Sequence, residues 1–471
     1  MSTQHAAERT IRLGLNVPLF VASLVAIGVG TFTGIVGIWG YAAQKLAVPE
    51  WIKVGHAHAS WWAAIILLAA LVVPSLPLAR WFKKYLLATA FLCPAAWVVL
   101  GMYLHYGLGV EPAKYLMPVF EVPLFIALLG AALVAAGVKP PLITGAEVKP
   151  GKYEIISHVD VDRRIFLVPT LVATAGVLAG YAITTMFKAW GRPVTPAALV
   201  QLHDHPVLMS TSAVIALLAL RVLNASESVL KFATRVMEVS LPLILVGLVV
   251  FCTVGVHSIV WVAPSAIYYI LPVLAFLAAV GALPRAKTGE LPYLSAVRAA
   301  LAFTFALILV LVAVGAYISV VWDVSPNVTV TFKQPEGVQY PGPYPEKFLG
   351  TAPAKGTPRG LENAHLSPGS WAHVAALWII TLALVATTVF NEKLRKPGLL
   401  YMFLVTIPLA PTFNMLGRFL AWWPALPAGA PGGIGALWYA GHPLKGFNII
   451  SLLVLGLALL YLMRKTESYA R

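Results

Sequence analysis

The sequence predicts an all-α integral membrane protein of about twelve transmembrane helices in three pseudo-repeated four-helix units. Three observations lead there. The 471 residues are 59% hydrophobic and only 11% charged. The apolar runs recur at about 20 residues, the length that crosses a hydrocarbon core of roughly 30 Å. Histidine-bearing motifs return at corresponding places along the chain, which marks an internal repeat.

The spans fall at about 14–43, 51–76, 83–106, 115–137, 164–187, 199–222, 231–257, 261–283, 294–320, 367–390, 398–421 and 443–463. Span 1 is long and lacks a small-residue cleavage site after it, so it reads as a membrane span and not as a signal peptide. Span 2 begins with "GHAHASWW", span 3 ends with "GMYLHYG", and span 4 carries Glu121 near one end. Span 5 follows Arg163 and Arg164, span 6 begins with "LHDHPVLM", and span 7 runs from Lys231 to "VGVHSIV". Span 8 leads to Arg285 and Lys287, span 9 starts near Arg298, and span 10 begins with "GSWAHVAAL". Span 11 ends near Arg418, and span 12 closes on Arg464 and Lys465. Residues 1–471 form one membrane domain, with units at about 14–137, 164–283 and 294–463 and a long loop at 321–366. The Thr/Val alternation in "NVTVTF" predicts a short hairpin in that loop, and its Pro/Gly-rich remainder an irregular cover, docking surface or lid.

Charge sets the orientation. On the side of the N-terminus lie 22 of the 33 basic residues, and four of the other 11 belong to the long loop, which the positive-inside rule discounts. Both termini are therefore expected in the cytoplasm. The net charge of +15 resides mostly in short inter-span loops, so it reports topology and excludes a nucleic-acid partner; the bilayer is the expected one. Cys93 and Cys252 fall in separate apolar spans, which offers neither a disulfide frame nor a CxxC metal site.

The eleven histidines then choose a side. His5 and His158 are cytoplasmic; His56, His58, His105, His203, His205, His257, His365, His373 and His442 all lie at or just inside the outer boundary. Imidazole at a membrane boundary also serves as a helix cap or headgroup neighbour, but recurrence in successive units points to ligands for haem iron, copper or zinc. His56 and His58 are two apart, so on a regular helix they point roughly 200° apart and serve two different sites. Trp61, Trp62, Trp371 and Trp378 stand near the first and third motifs and suit a large flat ligand.

This pattern of spans, histidines and cytoplasmic termini resembles subunit I of the haem-copper oxidase superfamily, which includes the nitric oxide reductases. The resemblance implies that His58 and His373 hold a low-spin b-type haem, with His56 competing with His58 and Arg418 meeting haem propionates. "HPVLM" at 205–209 resembles the oxidases' span 6 motif, and "VGVHSIVWVAP" at 254–264 the nitric oxide reductases' span 7 signature. These imply His205 and His257 as ligands of copper or non-haem iron, with His203 a substitute for the third. The chain departs from the family at Val256, where the family has a histidine, and at Trp371, where the family has the high-spin haem ligand. Met209 and Val207 stand where the oxidases have tyrosine and glutamate.

The resemblance implies respiratory redox chemistry in a prokaryotic plasma membrane: reduction of nitric oxide or oxygen, or electron transfer alone. An outer-side cytochrome, cupredoxin or quinol would be the donor, and a second membrane subunit a partner. Few carboxylates fall in the spans. Glu121 reads as a proton relay, a propionate partner or a capped interfacial carboxylate, Asp204 as a second-shell partner of a ligand or a helix N-cap, and Glu238 lies near the inner end of span 7. No carboxylate or lysine relay leads inward, so proton pumping is not expected. The alternatives are a secondary transporter and a copper- or haem-handling membrane protein. A four-plus-four-plus-four repeat argues against a six-plus-six transporter.

Overall fold

A computed structural model describes residues 9–36, 50–101, 103–145, 147–148, 150–183, 197–254, 259–286, 294–321, 359–386, 397–421 and 435–468. Eight helices among the described residues are long and apolar enough to cross a bilayer, and the chain is an α-helical membrane protein. The helices are α1 (Val17–Ile35), α2 (Glu50–Val72), α3 (Arg80–Ala95), α4 (Leu116–Ala135), α5 (Arg164–Ala182), α6 (Ala197–Val222) and α7 (Glu227–Val254). They continue as α8 (Ile259–Tyr268), α9 (Ile270–Val280), α10 (Leu294–Val321), α11 (Arg359–Val385), α12 (Pro397–Ala421) and α13 (Gly435–Ser468). The shorter apolar stretches Val119–Ala135, Trp371–Val385 and Met402–Gly417 lie in α4, α11 and α12.

Local chemistry explains several boundaries. α1 starts where Asn16 accepts from the Leu19 amide at 3.0 Å and Pro18 needs no partner for its missing N–H. α9 stops at Gly281, whose φ of 81° is left-handed and lets the chain turn back. α3 carries Pro94 near its end and passes into π-helical turns at Ala96–Leu100 and Tyr103–Gly107.

Three helices form the centre. In the spanning stretches of α2 and α6, 72% of residues are buried inside the protein, against 33% for that of α8 and α9 and for that of α13. From Trp371 to Ala386, α11 is buried almost throughout, and it packs on both α2 and α6. Outer faces such as Val246, Ile450 and Val454 are exposed and apolar, as lipid contact requires.

One end of the bundle is closed by strands. β1 (Thr10–Asn16) and β2 (Glu154–Asp162) pair antiparallel, with Thr10 opposite Asp162 and Asn16 opposite Glu154. Ile11, Leu13, Leu15, Val159 and Val161 turn into the bundle. The Glu154 carboxylate accepts from Asn16 Nδ2 at 2.8 Å and Lys83 Nζ at 2.9 Å, and Arg221 Nε donates to the Asp160 carbonyl at 2.5 Å. A Cβ on Gly14 would strike the Ile155 carbonyl and Pro74, so only glycine admits this close approach.

The structure corrects some boundaries. The expected span 1 from 14 gives way to a strand up to Asn16, because those residues pair with β2 before the helix begins. The segment at 154–162, expected as a connection, is that partner. The expected loop to 366 ends earlier, since α11 begins at Arg359. The hairpin expected at 327–332 and His5 lie outside the described residues.

Candidate functional site

The candidate site lies at the end of the bundle opposite the strand pair, where α2 and α6 begin and the middle of α11 carries His373. His56 and His58 sit near the start of α2, and successive side chains two apart on a helix diverge by roughly 200°. They do diverge. His56 turns to α1, where its Nδ1 meets the Gly30 carbonyl at 2.6 Å and its ring lies against Gly34. His58 turns to α4, where its Nδ1 meets Glu121 Oε1 at 2.8 Å.

Glu121 is buried, and the same oxygen accepts from Trp62 Nε1 at 2.7 Å. Two donors from consecutive turns of α2 thus close on one carboxylate of α4. Glu121 is thus a buried carboxylate capped by two donors. Glu121 orients an imidazole.

α6 repeats the arrangement of α2 in its own surroundings. His203 turns to α5, with its Nδ1 at 2.9 Å from the Gly176 carbonyl and its ring against Gly180. A carbonyl can only accept, so Nδ1 of both His56 and His203 carries the proton. His205 turns away and packs on Trp261 of α8, with ring centroids 4.7 Å apart. Asp204 Oδ1 stands 3.7 Å from His203 Nε2. Asp204 lies inside α6, two turns after its start at Ala197, which removes the N-cap reading.

The rings of His58 and His203 face each other with centroids 5.8 Å apart and planes tilted by 38°. His373, on α11, comes against Trp61, one turn along α2 from His58, at 6.1 Å between centroids. Trp371 is buried beside Trp378 at 5.5 Å and receives the Lys445 ammonium of α13 over its ring at 4.7 Å. Lys445 is a buried cation that hydropathy conceals, because one lysine barely lowers the mean of a long apolar run. Its signal is the spacing of His442, Lys445 and Asn448, three apart on one stripe of α13.

The remaining expected residues are placed only in part. Arg418 is on α12 and His365 on α11, with no side-chain description of either, and His257 lies outside the described residues. His105 falls in the second π-helical turn after α3. Among the described residues, no three His, Cys, Asp or Glu side chains gather as a small-metal site requires. His203 and His205 face different neighbours, as two residues two apart on one helix must.

His56, His58 and His203 each have Nδ1 committed to a carbonyl or carboxylate, a tethering common among imidazole ligands. Trp61, Trp62 and Trp371 supply flat apolar surface around them. The chain matches no protein-family model and no curated protein.

Proposed function

We propose that this is a haem-carrying membrane protein of respiratory redox chemistry, similar to subunit I of the haem-copper oxidases, with about twelve spans in three four-helix units. Both termini are then cytoplasmic and the histidine layer faces outward in a prokaryotic plasma membrane. The observation that carries the reading is the tethering of Nδ1 on His56, His58 and His203 to fixed acceptors of the neighbouring helices. Outer histidines that only met headgroups would need no such fixed acceptors.

In this reading His58 would be one of the residues that hold a b-type haem. His373, by the resemblance, and His203, which faces His58, compete for the other side. A b-type haem there supplies one-electron chemistry. Glu121 fixes the tautomer and orientation of His58, and the Gly30 and Gly176 carbonyls do the same for His56 and His203. The tryptophans exclude water from the layer. By the resemblance, His205, which packs on Trp261, would hold copper or non-haem iron at a second centre together with His257. The donor is an outer-side cytochrome, cupredoxin or quinol, and reduction of nitric oxide or oxygen is the reaction if that second centre is complete.

The test is a reduced-minus-oxidised visible spectrum of the purified protein, with and without carbon monoxide, beside iron and copper quantification. Sharp b-type bands are expected. Bands indifferent to carbon monoxide assign electron transfer alone, and an added carbon monoxide-sensitive species assigns a reductase. A protein with stoichiometric copper and no haem would be a metal-handling protein, and one with neither would overturn the reading.

A further inference from the structure

The helix pair α12 and α13 carries polar groups where an apolar bundle has no use for them. Asn414 and Asn448 are wholly buried, His442 and Lys445 nearly so. On α13 these groups fall three apart, at 442, 445 and 448, and form one inward stripe, whereas Phe447, Ile450 and Val454 on the same helix are exposed to lipid. The helix is thus polar inward and apolar outward, the reverse of a soluble amphipathic helix.

The two carboxamides are half-satisfied. Asn414 Nδ2 donates to the Ala410 carbonyl at 3.0 Å and Asn448 Nδ2 to the Thr406 carbonyl at 3.2 Å. Neither Oδ1 accepts a hydrogen bond from the protein, although both are buried. Such an oxygen left dry costs about 1–3 kcal/mol in general, and native proteins ordinarily place ordered water there. Gly441 lets the Asn414 side chain lie directly against the α13 backbone, because a Cβ there would overlap it. Pro408 and Pro411 in α12 and Pro443 in α13 withhold three backbone amides along the same pair, which leaves further carbonyls in need of donors.

The levels follow from the contacts. Asn414 stands beside Gly441 and Asn448 beside Thr406, so the seam descends seven residues of α13, about 10 Å at 1.5 Å per residue. Lys445 sits between them with its ammonium over Trp371.

We infer that the α12–α13 seam is a binding site for a file of ordered water that enters beside His442 and reaches the level of Thr406 and Asn448. Both Asn oxygens accept from this water, and the Lys445 ammonium lies beside it. The inlet stands independently of any haem.

The test is thiol accessibility in lipid nanodiscs. In a background with the buried Cys93 and Cys252 replaced by alanine, Asn414→Cys, Asn448→Cys and Ile450→Cys are treated with a charged, water-soluble methanethiosulfonate. Cysteine at 414 and 448 should react at least about ten-fold faster than at the lipid-facing 450 of similar depth, since a thiol in apolar surroundings stays protonated and inert. The conservative Thr406→Cys provides a second probe at the deep end if Asn448→Cys does not fold. Thiols at 414 and 448 or 406 that stay unreactive in a protein with cooperative thermal unfolding would overturn the inlet. So would equal reaction at 450.

Discussion

His56 and His203 occupy matching seats 147 residues apart. Each ring lies over the second glycine of a Gly-x-x-x-Gly pair on the preceding helix, Gly34 or Gly180, and each Nδ1 meets the carbonyl of the first, Gly30 or Gly176. The seats need glycine for space. A Cβ at Gly34 would stand 2.9 Å from the His56 ring and one at Gly180 2.5 Å from the His203 ring, closer than real side chains approach. Gly180→Ala should therefore displace His203 and destabilise the protein by about 1–3 kcal/mol, the usual range for overpacking. Thermal unfolding in detergent measures this, and Gly34→Ala should cost less than Gly180→Ala.

Glu121 answers two donors with one oxygen. Glu121→Leu leaves His58 Nδ1 and Trp62 Nε1 without their acceptor, a loss of about 1–3 kcal/mol for each buried group. Glu121→Gln keeps an acceptor oxygen and should lose less than half as much. Unfolding transitions of the two variants compared with the parent protein test the order.

The ligand assignment separates by substitution. His58→Ala should abolish the low-spin haem signal, and His365→Ala should leave it intact. Whichever of His373→Ala and His203→Ala also abolishes it names the opposite ligand. Loss of neither would mean that His58 is not paired across a haem, as read from the reduced spectrum and the iron content.

At the other end of the bundle, Lys83→Met removes a charged hydrogen bond to a carboxylate that is almost fully buried. The expected loss is about 1.5–3 kcal/mol, the range for bonds to charged groups. Glu154→Ala should cost more, since Asn16 also loses its acceptor. Amide exchange should quicken first in Thr10–Asn16, the strand that these bonds hold.

The membrane class and most helix positions were legible because burial in lipid demands long apolar runs, and such runs are visible one residue at a time. The strand pair hid in that same signal. Ile11, Leu13 and Leu15 alternate as a strand should, but they lead without a break into the apolar run of α1, and hydropathy alone joins the two. That histidines of different spans meet was legible for His58 and His203, and the divergence of His56 from His58 followed from helix geometry. Their acceptors were not. Glu121 is 63 residues from His58, and Gly176 is a glycine among many, so only the packing of α4 on α2 and of α6 on α5 discloses them. Asp204 reads as a cap from its residue type, whereas the helix begins at Ala197 and carries it in the interior.

The strand pair also sets an order of events during synthesis. Leu13 and Ser157, which share a hydrogen bond across it, are 144 residues apart. At about 5–20 residues per second, β1 emerges roughly 7 to 30 s ahead of its partner. During that interval α1 to α4 are made one after another, while the β1 edge stays open to any extended chain nearby. Nascent chains arrested before Glu154 should therefore associate with one another through β1, and those arrested beyond Asp162 should not.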